Sequence, residues 1–155
     1  MIHAKEVLLD QLLANVNDRS WYASFEEAVD GISNEEAFWK PDKGSHSIAE
    51  IVQHLIYWNE VWQIRYENSD FNAQQSLAEN ADSFLIPENR SFPELKERLI
   101  KVLLRWQELI TEEKLESSVN GFPVKAEWWA LIANVTTHNA YHIGQLTYIR
   151  KMNKE

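Results

Sequence analysis

The sequence of 155 residues has no cysteine, only four glycines and four prolines, and an excess of acidic over basic side chains. The missing cysteine excludes disulfides, thiolate metal ligands, zinc fingers and iron–sulfur clusters, so any bound metal is held by nitrogen and oxygen. The scarce glycines and prolines cluster between long periodic segments, the punctuation of a helical protein. With 15 basic against 24 acidic residues, the net charge of −9 repels phosphate backbones and anionic lipid, and no local Lys/Arg run offsets it. Nucleic acid and membrane are therefore not expected partners. The opening MIHAKEVLLDQLLANVNDRS is interrupted by Asp10, Gln11 and Asn15, which fits neither a signal peptide nor a membrane span, and a cytoplasmic protein is expected. What the chain does have is seven tryptophans, five tyrosines and six phenylalanines, a large supply of surface to bury in one domain spanning residues 1–155.

Apolar spacing predicts four long helices. The first runs over about residues 3–29 through Leu9, Leu12, Leu13, Val16, Phe25 and Val29, and Gly31 ends it. The second starts at Ser47, where Ser47-Ile48-Ala49-Glu50 reads as a capping box, and buries Ile48, Ile51, Val52, Leu55, Trp58 and Trp62. Residues 68–90 show no sustained period and form a long connection. Ser91-Phe92-Pro93-Glu94 then opens a third helix with a second capping box, its core face being Leu95, Leu99, Val102, Leu103, Trp106 and Ile110. The fourth covers about residues 126–151 and lacks a good N-cap at Lys125. These elements make an all-α four-helix bundle. Carrying the chain back along helices of about 30 Å takes on the order of 10 extended residues, so the long second connection lets helices two and three run parallel.

In the fourth helix, His138 and His142 fill steps of the stripe that Trp128, Leu131 and Val135 begin and Leu146 and Ile149 continue. Residues four apart on a helix have Cβ atoms about 5–6 Å apart, so two imidazoles can converge on one ion. They can equally be two core histidines hydrogen-bonded to neighbours. His54, mid-way along helix two on the flank of its stripe, is the third candidate; His3 and His46 fall in a terminus and a loop, with local roles. Asn139 follows His138, so the zincin glutamate is missing, and Ile51, Val135 and Asn139 stand where di-iron bundles place Glu. A mononuclear, nitrogen-rich site is what remains.

GSHSIAEIVQHLIYWNE, followed some eighty residues later by THNAYHIGQLTYIRK with its His-x-x-Tyr-His-x-Gly-Gln motif, resembles the DinB-like, or YfiT-like, superfamily of metal-dependent bundle enzymes. The likeness spans nearly the whole chain. It implies an up-down-down-up bundle, a divalent metal (zinc, nickel or iron) on His54, His138 and His142, and homodimers formed through helix faces. Family members include transferases that use low-molecular-weight thiols such as bacillithiol or mycothiol. The expectation is thus a metal-dependent enzyme acting on a small molecule, a thiol-dependent S-transferase or a hydrolase. The alternative is a noncatalytic stress-response or binding protein with a structural or incidental metal. Trp58 and Tyr141 are candidates to line the pocket, while Glu50, Glu60 and Glu127 fall on solvated faces and supply no general base.

Overall fold

A computed structural model describes residues 1–154. All regular elements among them are helical: α1 (Ala4–Val16), α2 (Phe25–Ala28), α3 (Asn34–Phe38), α4 (Ile48–Glu67), α5 (Phe92–Leu109), α6 (Glu112–Leu115) and α7 (Trp128–Asn153). Among the described residues only two isolated bridges, Asp70 with Asn120 and Ser118 with Glu127, form outside the helices. No helix described is long and apolar enough to cross a membrane.

The expected first helix is broken. α1 ends at Val16, and Phe25 and Ala28 belong to a separate turn of helix that Ser24 caps by accepting the Glu27 amide. Asn17, Asp18 and Ser20 lie in the break, residue types whose side chains compete with the helical backbone for hydrogen bonds. Phe25 and Val29 are nonetheless fully buried. α4 begins where expected, with Ser47 Oγ accepting the Glu50 amide at 3.1 Å. The reciprocal half of that capping box is absent, because Glu50 turns instead to Lys40 Nζ at 2.8 Å and His46 Nδ1 at 3.1 Å. Both halves form at Ser91 and Glu94. α7 starts at Trp128 without a side-chain cap; the Ser117 carbonyl accepts its first amide from outside the helix.

The four long helices pack as α4 against α5 and α7, and α1 against α5 and α7. Side-chain links set their directions. Glu60 meets Arg98, the Val102 carbonyl accepts from Gln63, and Glu67 meets Arg105, so α4 and α5 advance together and are parallel. His54 meets His142 while Tyr66 meets Trp128, so α4 and α7 are antiparallel.

Two apolar clusters fill the interior, one around Leu55, Leu103 and Ile143, the other around Tyr66, Trp106 and Val135. Asparagines from three helices meet between them. Asn59 donates to Asn139 Oδ1 at 2.8 Å, Asn139 donates to Asn15 Oδ1 at 3.3 Å, and Trp106 Nε1 donates to Asn59 Oδ1 at 3.0 Å. All four residues are buried. Asn59→Ala strands the Trp106 indole N–H and Asn139 Oδ1, at about 1–3 kcal/mol per orphaned group. Urea titration is expected to show a loss of roughly 2–6 kcal/mol. A loss well under about 1 kcal/mol would mean that the layer does not depend on this amide.

Candidate metal centre

α4 and α7 cross so that His54, one turn above Asn59, faces His138 and His142. Each of the three offers a ring nitrogen, and these nitrogens all lie within 4.8 Å of one another. His54 and His142 are 3 % and 8 % exposed, and His138 is half-buried. The three rings meet edge to face, with centroids 4.6 to 5.2 Å apart.

Hydrogen bonds fix which nitrogens point inward. Ser83 Oγ donates to the Asn80 carbonyl at 2.6 Å, so toward His54 Nδ1, at 2.7 Å, it acts as acceptor. The His54 proton therefore sits on Nδ1, and Nε2 carries the lone pair. His142 Nδ1 lies 2.7 Å from Gln145 Oε1, a carbonyl oxygen that only accepts, so its Nε2 is bare as well. Metal-ligating histidines are held in this way, by a partner on the ring nitrogen that does not face the ion. His54 Nε2 and His138 Nε2 face each other at 3.2 Å. Two bare nitrogens at that separation repel unless a proton or a cation lies between them, and bonds of about 2.0–2.1 Å at tetrahedral angles would place them about 3.3–3.4 Å apart.

The site disfavours its own protonation. Burial, then the neighbouring imidazoles, lower the His54 pKa to about 3. Burial, then His142, lower that of His138 to about 4. Burial likewise lowers His142, against the Gln145 hydrogen bond that raises it. Neutral imidazole is the metal-binding form. The donor set therefore fits a metal ion.

The histidines close one end of a cavity of about 630 Å³ whose walls include Trp58, Trp62, Phe71, Phe84 and Phe122. Trp58 lines it as expected. Tyr141 does not: its side chain is 65 % exposed on the outer face of α7. No aspartate or glutamate lines this cavity among the described residues. Glu60 and Glu127 lie outside it, Glu60 bound to Arg98 and Glu127 to the Trp129 indole. Glu50 is half-buried rather than solvated, held by Lys40 and His46. His3 takes part in the capping box of α1.

Three contributors escape the sequence reading. Ser83 and Phe84 come from the connection between α4 and α5, folded there into a short 3-10 turn, Asn80–Phe84. Phe84 stacks between His46 and His54, with centroids at 3.8 and 4.0 Å. Neither has a periodic signal, since both act through long-range contacts. Gln145 has one: it stands three residues after His142, on the same helix face.

The DinB superfamily family model matches residues 17–146. Among solved structures, the chain is similar to a DinB-like protein, YjoA, from Bacillus subtilis, with 21% identity and a TM-score of 0.63 over 95% of this chain and 92% of that one. No curated protein matches it.

Proposed function

The chain belongs to the DinB superfamily, and from that premise we propose that His54, His138 and His142 hold a divalent metal in an enzyme acting on a small molecule, a thiol-dependent S-transferase or a hydrolase, the first being the better fit. One observation carries this reading: three imidazoles, two buried and one half-buried, two of them with Nε2 bared by Ser83 and Gln145, open onto an aromatic cavity that no carboxylate lines among the described residues. Three neutral imidazoles leave one position on a four-coordinate ion for a substrate group. Bound there, a divalent ion supplies Lewis acidity that lowers the pKa of water or a thiol. Ser83 and Gln145 orient their rings, and aromatic side chains line the approach to them. With no carboxylate at hand, a thiol, whose ordinary pKa is about 8.5, loses its proton far more readily than water does. That favours S-transfer over hydrolysis.

The missing acid/base side chain also favours a second reading, a noncatalytic binding or stress-response protein in which the metal is structural. The rest of the reading is a single-domain, cytoplasmic up-down-down-up four-helix bundle, supported by the parallel registers of α4 and α5. Homodimerisation through α7 fits the exposed Tyr141, Gly144 and Tyr148, spaced along one face.

The test uses full-length, tag-free protein loaded with zinc, nickel or iron, incubated with bacillithiol and monochlorobimane. Conjugation above the protein-free rate is expected, lost on chelation and restored by the metal. A rate indifferent to metal removal, or none with any of the three ions, sinks the transferase and leaves the hydrolase and the noncatalytic reading.

A further inference from the structure

Arg65 is an anomaly in the same cavity. It lies on α4, eleven residues after His54, which is three helical turns and about 16 Å of rise at 1.5 Å per residue. It lines the opposite end of the cavity from the histidines and is only 3 % exposed. An arginine this far inside a protein ordinarily has a carboxylate partner, because an unpaired charge is costly even when only part of its hydration is removed. Among the described residues Arg65 has none within an ion-pair distance. What holds it is aromatic and partial: its Cζ lies 4.8 Å from the Trp62 ring centroid and 4.1 Å from that of Phe71, and Nε donates to the Gln74 carbonyl at 3.0 Å. The stacking orients the guanidinium plane. The N–H groups of both Nη atoms meet no protein acceptor among the described residues, yet neither atom is sealed from solvent, so the fork that pairs with planar anions is open to a ligand.

The cavity lining contains no Asp, Glu or Lys, so Arg65 is its one permanent charge among the described residues, within a chain of net charge −9. A protein this acidic had many carboxylates with which to neutralise it, and none reaches it. A ligand that supplies the missing charge completes the site.

We infer that Arg65 anchors the carboxylate of an elongated substrate whose apolar or aromatic body lies between Trp58, Trp62 and Phe71, with its reactive end toward the histidines. The inference rests on the reading of this cavity as the substrate site. One guanidinium neutralises one negative charge, so a carboxylate fits where a doubly charged phosphate would leave an excess in an aromatic enclosure. The separation of three turns favours a ligand longer than acetate, and the volume of about 630 Å³ accommodates one.

The test is binding by metal-stripped, full-length protein, followed by calorimetry and by the fluorescence of the cavity tryptophans. Phenylbutyrate is expected to bind at least about tenfold more tightly than its amide, which has the same shape and no charge. Arg65→Gln is expected to abolish that preference, and Arg65→Lys, which keeps the charge but not the fork, to retain part of it. Equal affinity for acid and amide in the wild type, or no saturable binding of the acid, overturns the inference without any variant. So does a preference that survives in folded Arg65→Gln protein. A phosphonate of matched length binding more tightly than the acid overturns the carboxylate assignment. Metal content, measured in parallel, separates the two proposals. Wild type that prefers the acid but takes up no metal sinks the metal reading alone, whereas metal-loaded protein indifferent to the carboxylate sinks this one alone.

Discussion

His54→Ala and His142→Ala, purified without a histidine tag, are each expected to take up far less metal than the wild type, with affinity down by more than about 100-fold. The lower bound comes from residues that only orient a ligand, whose loss costs about 10–100-fold. Ser83→Ala and Gln145→Leu belong to that class, and each should fall within it, because each frees a ring to rotate or to change tautomer. His3→Ala, which alters only the start of α1, should bind as the wild type does. Elemental analysis after dialysis against a chelator of known affinity reads the five variants beside the wild type. Wild-type protein holding no more metal than His54→Ala would end the metal hypothesis. Full retention in Ser83→Ala would mean that the hydroxyl does not fix His54.

Acid should destabilise the metal-free protein in a window set by the same residues. In the unfolded chain these histidines take up protons around their ordinary pKa of 6.5, whereas in the folded protein His54 and His138 resist until about 3 and 4. The unfolded state therefore binds more protons as pH falls below 6.5, and stability decreases, by at most about 1.4 kcal/mol per pH unit per histidine. Above that pH the contribution is complete and flat. The carboxylates whose pKa is lowered, Asp42, Glu50 and Glu94, act in the same direction but start from 3.8 and 4.5. The interval from about pH 6.5 to pH 5 thus belongs to the imidazoles. Urea melts across it should show a falling midpoint in the wild type and a shallower fall in folded His138→Gln protein. A midpoint constant over that interval would show that the cluster accepts protons without strain. Saturating metal should hold the midpoint up until protons compete the ion away.

The sequence made the long helices legible because their apolar stripes recur at 3.6-residue spacing, and it placed the starts at Ser47 and Ser91 because a serine hydroxyl caps a helix through local bonds. The break between Val16 and Phe25 was hidden, since the apolar pattern persists across it and Phe25 stays in the core. His54, His138 and His142 were readable because a polar ring in or beside an apolar stripe needs a reason. Ser83 and Phe84 were not, because their effect depends on how residues 68–90 fold back over α4, and nothing local encodes that return. Arg65 carried an unused signal: a permanent charge three turns from His54 on one helix.

His54 and His138 touch at 3.2 Å yet stand 84 positions apart along the chain. Their convergence exists only when α4 and α7 are docked, so a solute that needs both rings recognises the native chain and ignores the unfolded one. Such a solute is also a folding partner. At a free concentration 100 times its dissociation constant it adds about 2.7 kcal/mol to the stability of the whole molecule, and the melting temperature becomes a gauge of its supply.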